Sequence, residues 1–159
     1  MRITLVAVGK LKEVYLRKGI AEYTKRLRSY CQLNIVEVKD EAFREGYSSA
    51  EQEMVKAKEA DRIQKAIPPR SHVIALDIQG QMKSSEEMSA LISQLGLEGR
   101  SHITFVIGGA LGLHSSVLND ANLRLSFSPL TFPHQLMRLI LLEQTYRWFT
   151  IIRGEQYHK

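Results

Sequence analysis

The chain has 159 residues, 44% of them hydrophobic and 25% charged, the balance of a soluble domain that buries about two-thirds of its unfolded surface. Its single cysteine, Cys31, excludes an internal disulfide and a cysteine-rich zinc site, and fits a reducing compartment. The net charge of +5 is local: Lys10, Lys12, Arg17, Lys18, Lys25, Arg26 and Arg28 are opposed within residues 10–28 only by Glu13 and Glu22, which accounts for the whole excess.

Ile3–Val8 is a continuous apolar run closed by Gly9, the pattern of a strand buried on both faces. With Arg2 it superficially resembles a secretory signal, but Gly9-Lys10-Leu11-Lys12 ends the run too early. A helix is predicted from about Glu13 to Tyr30, where Leu16, Ile20, Tyr23, Leu27 and Tyr30 form one stripe. Arg17, Lys18, Lys25 and Arg28 fall opposite or beside it. This basic face suits a phosphate-bearing or acidic partner, and charge alone leaves a plain solvated face equally open.

Leu33–Val38 alternates as a second strand, and Lys39–Tyr47 reads as a polar loop. Ser49 with Gln52 resembles a capping box for a charged helix that stops before Pro68-Pro69. Val73–Leu76 is the third strand, closed by Asp77 and a turn around Gly80. Ser84 and Glu87 form another capping box, followed by the stripe Met88, Leu91, Ile92 and Leu95. Ile103–Ile107 is a fourth strand, Ser115–Ala121 a short helix and Leu123–Phe127 a fifth strand. The last helix begins near Pro133 and ends before Gly154.

Strands alternating with helices predict a single α/β domain, with a mainly parallel sheet flanked by helices. Leu139–Leu142 is far short of the ~20 apolar residues of a membrane span, so the protein is expected in the cytosol. The last helix is apolar nearly all round, from Leu136 to Ile152. Such a helix is either central to the core or covered by a second copy, and a homodimer is the favoured reading.

Three segments could carry chemistry. Phe105 to Gly112 runs from a strand into Gly108-Gly109 and Gly112, where bare backbone could meet a ligand or simply turn. The spacing is neither a P-loop nor a dinucleotide fingerprint. Leu76-Asp77-Ile78 ends another strand where open α/β sheets bind ligands, and a plain turn is equally consistent. Ser126 to His134 holds two prolines, two serines and two aromatics, a rigid loop able to cover an adenine. His134 could be an acid–base group, although a histidine bonded at a helix start is the simpler assignment. The tail offers Tyr157, His158 and Lys159 for stacking, proton transfer and phosphate attraction. No zinc-ligand spacing, catalytic carboxylate pair or G-x-S-x-G elbow is present, so no metal is expected.

Taken together, Ala7-Val8-Gly9-Lys10, Leu76-Asp77-Ile78, Ile107-Gly108-Gly109, Gly112-Leu113, Thr131-Phe132-Pro133-His134, Arg138, Glu143-Gln144, Tyr146-Arg147 and Tyr157-His158-Lys159 closely resemble the RlmH-type rRNA methyltransferases of the SPOUT class. The resemblance spans essentially the whole chain. It implies a C-terminal trefoil knot, a homodimer, and methylation of N3 of a pseudouridine in large-subunit rRNA of the assembled ribosome. By position it implies that Leu76, Gly108, Phe127, Ser128, Pro129, Leu130, Thr131 and Phe132 contact S-adenosyl-L-methionine (SAM), and that Tyr157 and His158 approach the target base. Arg17, Lys18, Lys25, Arg28 and Lys159 would then attract rRNA phosphates. A pocket shared between subunits is expected. A SPOUT enzyme for tRNA, a non-catalytic ribosome-binding factor and a flavodoxin-like nucleotide module are the alternatives.

Overall fold

The computed structural model describes residues 1–159 as ten alternating elements. They are β1 (Arg2–Val8), α1 (Val14–Leu27), β2 (Gln32–Val38), α2 (Ser49–Ala66), β3 (His72–Met82), α3 (Ser85–Leu97), β4 (His102–Ile107), α4 (Ser115–Asp120), β5 (Leu123–Ser126) and α5 (His134–Ile152). The strands pair in the order β2-β1-β4-β3-β5, and every pairing is parallel. Each strand therefore ends on the same edge of the sheet, and the order reverses between β1 and β4.

Alternation along the central strands builds two cores. Ile3, Leu5 and Ala7 of β1 with Ile103, Phe105 and Ile107 of β4 face α1, α3 and α5, where they meet Leu27, Met88, Ile92, Leu141 and Trp148. Val6, Val8 and Val106 face the other way, onto Ala60 and Ile63 of α2 and Val117 of α4. Both faces of the sheet are covered, which is why β1 and β4 read as unbroken apolar runs.

The apolar pattern of α5 is explained in part within the chain. α5 packs between α1 and α3 and against β4, with Leu141, Leu142, Trp148 and Phe149 buried. Gly19 of α1 makes room for Leu139, since a Cβ there would lie 2.9 Å from Leu139 Cδ2. Leu136, Met137, Leu139, Ile140 and Ile151 remain only partly buried, and Ile152 is exposed.

Two local expectations are corrected. α2 is capped one residue earlier than Ser49 and Gln52 imply: Glu51 N–H donates to Ser48 Oγ at 3.2 Å, and Ser48 N–H donates to the Glu51 carboxylate at 2.6 Å. Glu is a stronger acceptor than Gln, so the box settles on Ser48 and Glu51. The α3 box of Ser84 and Glu87 forms as read. β3 does not end at Leu76 but continues to Met82. Leu76 and Gln81 both pair with Leu125, so Asp77–Gly80 is a bulge extruded from the ladder rather than a terminal turn.

Candidate functional site

The register of the sheet brings three strand ends level. Ala75 of β3 pairs with Val106 of β4, and Leu76 pairs with Leu125 of β5. Leu76, Ile107 and Leu125 thereby form one wall of a cavity of about 640 Å³ at the carboxyl edge. The glycine loop at 108–113 and the loop at 127–134 close it.

Each loop is shaped by its own chemistry. Gly112 N–H donates to Gly109 O at 3.0 Å, folding the glycine loop back on itself. A Cβ at Gly108 would approach the Gly112 carbonyl carbon to 2.8 Å, so only glycine fits this crossing. Behind the loop, the buried Glu59 of α2 packs its carboxylate against Gly109 and accepts from Glu41 N–H at 3.0 Å. Burial raises the Glu59 carboxyl above the usual range, against the pull of the Glu41 amide. In the proline loop, Leu130 N–H donates to Ser128 Oγ at 3.0 Å, and Ser126 Oγ–H donates to Ser128 O at 3.2 Å.

The bulge of β3 is clamped from beside. Arg124 Nε donates to the Asp77 carboxylate at 2.8 Å, and Nη2 reaches the same oxygen. Gly80 lies so close to β5 that a Cβ would come within 2.6 Å of the Arg124 carbonyl. This bulge holds Asp77 and Ile78 at the cavity. Neither the clamp nor the contact had a local sign beyond an arginine between two leucines of a short strand.

Arg138 has the same kind of role on the other side. It is 1% exposed, and its Nη2 donates to the carbonyls of Val8 and Gly9 at 2.8 Å each. Its Nη1 donates to Glu37 at 2.7 Å, so α5 is fixed to the ends of β1 and β2. One turn earlier on α5, His134 lines the cavity. Burial holds the His134 imidazole below its usual range, with the Arg138 charge acting in the same direction and Asp40 opposing both.

Among the residues expected at SAM, Leu76, Gly108, Phe127, Ser128, Leu130, Thr131 and Phe132 line the cavity. Pro129 does not; it is exposed at the loop's outer turn, where it stiffens the segment. Asp77, Ile78 and His134, from the segments read as candidate ligand-binding strand end and loop, also line it, and Leu113 and Met137 join without having been placed there from sequence. The volume falls in the about 300–1,000 Å³ range of small-molecule pockets, and a mostly apolar wall with bared backbone suits an adenosyl compound.

Tyr157 and His158 do not line the cavity of their own chain. The tail folds back over α5, where the Tyr157 ring meets Tyr146 edge-on at 4.8 Å and the Arg147 guanidinium lies 4.8 Å from the Tyr157 ring centre. Tyr157 O–H donates to Glu143 at 3.2 Å, and Arg147 pairs with the same carboxylate. His158 Nε2 lies 2.8 Å from Glu86 at the start of α3. Burial, then the Tyr23 hydroxyl and the Glu143 charge, push the Tyr157 phenol far up, so it stays protonated. Glu143 lies about 9 Å further along the helix than Met137 at the cavity, by the helical rise.

Of the basic face, Lys18, Lys25 and Arg28 are exposed and make no ion pair, as is Lys159 at the chain end. Arg17 is exposed, but its guanidinium turns back to donate to Leu11 O at 3.1 and 3.0 Å. It braces the β1–α1 loop as well as adding charge.

A parallel α/β sheet with a cavity at its carboxyl edge, walled by a glycine loop and a proline loop, places the chain among α/β proteins of the open, parallel-sheet class. The family described as "Predicted SPOUT methyltransferase" matches residues 1–158. Proteins named "Ribosomal RNA large subunit methyltransferase H" from Carboxydothermus hydrogenoformans and Clostridium kluyveri are 58% and 54% identical, each covering 100% of both chains. The counterpart from Bacillus pumilus is 54% identical over the same span. Among solved structures, a probable methylase family protein from Haemophilus influenzae aligns with TM-score 0.51 and 13% identity, over 99% of this chain and 70% of that one. The chain belongs to the SPOUT methyltransferase family, in the RlmH-type group formed by these relatives.

Proposed function

We propose that the protein is a SAM-dependent methyltransferase acting on N3 of a pseudouridine in large-subunit rRNA, on the assembled ribosome in the cytosol. The observation that carries this reading is the apolar cavity at the carboxyl edge, in a chain 54–58% identical end to end to proteins named for large-subunit rRNA methylation. When bound, SAM would supply an electrophilic methyl group on its sulfonium. Leu76, Phe127 and Leu130 would cover its adenine face, while backbone groups of Gly108 and the 127–132 loop satisfy its polar edges. Ser126 and Ser128 fix that loop, and Pro129 stiffens it from outside. The threading of the chain is read as the trefoil knot of the class.

N3 of pseudouridine is an imide nitrogen and a poor nucleophile while protonated, so a neighbouring base is useful. His158 is assigned that proton, and Tyr157, which keeps its own, is assigned to stacking and donation. A tail held some distance from its own cavity supports a homodimer in which one subunit's tail serves the other's cavity. The proposed reading is tested by calorimetry with SAM on the full chain and on one lacking Tyr157–Lys159, with methyl transfer to intact ribosomes and to tRNA. Both chains should bind SAM, and only the full one should methylate, on ribosomes alone. A full chain with no affinity for SAM overturns the reading.

A further inference from the structure

Besides the exposed cations along α1, a second group of cations gathers at the corner where β1 enters the helix. There a hollow of about 740 Å³ is bordered by Lys10, Lys12 and Arg17 over an apolar floor of Leu5, Ile20 and Ile35. Lys10 and Lys12 are exposed and without an ion-pair partner. Glu37 also borders the hollow, and its Oε2 accepts from both Arg138 and Leu11 N–H, so its charge is paired with Arg138. Arg138, almost fully buried, borders it too, and its Nε has no acceptor. α1 begins here with no side-chain cap and no acidic residue in its first turn, which leaves its amide ends favourable to an anion; Glu13, at the cap position, and Asp40, beside Gly9, are the free carboxylates nearby, outnumbered by the cations.

Two further facts give the corner a direction. Lys12 N–H donates to Gln135 Oε1 at 3.0 Å, so the corner touches the first turn of α5, whose His134 lines the cofactor cavity. Tyr15, in the first turn of α1, is 66% exposed just outside the hollow, with Lys18 one helical turn further on and Lys12 in the loop that leads into the helix. An exposed aromatic ring among cations is the combination that binds single-stranded nucleic acid, by stacking a base and holding its phosphate. A second copy of this chain is a poorer occupant, since four cations would have to be desolvated against it.

We infer that the β1–α1 corner is an RNA subsite: Lys10, Lys12 and Arg17 grip a phosphodiester close to the target nucleotide, and Tyr15 stacks a flanking base. This rests on the rRNA reading above and adds where the strand is held. It also moves the main grip away from Lys25 and Arg28, which lie further along α1.

The test is equilibrium binding of the full chain to intact ribosomes across about 50–200 mM salt, read separately from methyl transfer. The variants are Lys10→Ala with Lys12→Ala, Tyr15→Ala, and Lys65→Ala on α2 as a control, with sedimentation to report self-association. Removing two phosphate contacts should weaken binding and lower the salt slope by about 1.4–1.8. Tyr15→Ala should weaken binding about tenfold at every salt concentration, with the slope unchanged. Lys65→Ala should change neither. An unchanged slope in the double variant, an equal drop in the control, or a Tyr15→Ala protein that loses self-association but not ribosome affinity would each overturn the subsite. Tight ribosome binding by a wild-type chain that never methylates would instead overturn the reaction and leave the subsite standing.

Discussion

The guanidinium of Arg147 lies 4.8 Å from the ring centre of Tyr157 and holds the C-terminal tail against α5. Glu143 accepts from both residues, so the three act as one clamp. The clamp keeps the tail's chemistry apart from the cofactor cavity of the same chain. His158→Ala should therefore leave SAM affinity within about twofold and lower methyl transfer by about 100-fold or more. Mixing His158→Ala subunits with cofactor-defective Gly108→Val subunits should restore part of the activity. No recovery in the mixture would show that each cavity is served by its own tail.

Arg138 supports α5 through three acceptors that no other side chain can satisfy at once. Arg138→Ala should cost about 3 kcal/mol, because it strands two main-chain carbonyls and leaves Glu37 without its cation. Lysine should not rescue it, lacking the planar fork. Urea unfolding of the two variants checks both statements, and a loss under about 1 kcal/mol would count against the proposed anchoring.

Close backbone packing at Gly80 predicts a contrast between two glycines. Gly80→Ala places a methyl 2.6 Å from the Arg124 carbonyl and should destabilise by about 1–3 kcal/mol, while loosening the cavity wall. Gly96→Ala, inside α3 and 3.5 Å from Met1 Cε, should instead stabilise by about 0.5–1 kcal/mol. Thermal melts of the pair give the signs directly.

Glu59 predicts a pH dependence. Its carboxyl is raised in the folded chain, chiefly by burial, so its contribution to stability is full below the ordinary value near 4.5 and declines as pH rises through the folded value. Glu59→Gln keeps an acceptor for Glu41 N–H without the buried charge. It should raise stability at neutral pH by about 1 kcal/mol, with the difference vanishing in acid. Equal gains at both ends of the pH range would refute the burial argument.

Local chemistry made the strands and most helices legible. β1 and β4 are continuous apolar runs because both faces of the sheet are covered, and the Ser84–Glu87 box marks α3 by itself. The α2 cap slipped by one residue because Ser48-Ser49 and Glu51-Gln52 satisfy the same pattern in two registers. β3 was read short because Gln79-Gly80-Gln81 resembles a turn, and only its pairing with β5 makes it a bulge. Strand-end residues such as Leu76 and Gly108 follow from fold class, since parallel sheets place their loops on one edge. The Arg138 and Arg124 clamps join segments 47–130 residues apart, a distance over which no local pattern reports.

The bond from Arg138 to Val8 spans 130 residues, and β1 is held between β2 and a strand that starts at His102. β1 must therefore wait for segments 100 to 130 residues further along before its neighbours and its end are fixed. Such long loop closures make folding slow and leave apolar strands exposed meanwhile. During synthesis the sheet can gather only partially until β4 is made, and α5 is added later still. Until α5 docks, the Val8 and Gly9 carbonyls at the end of β1 lack the guanidinium that fixes them.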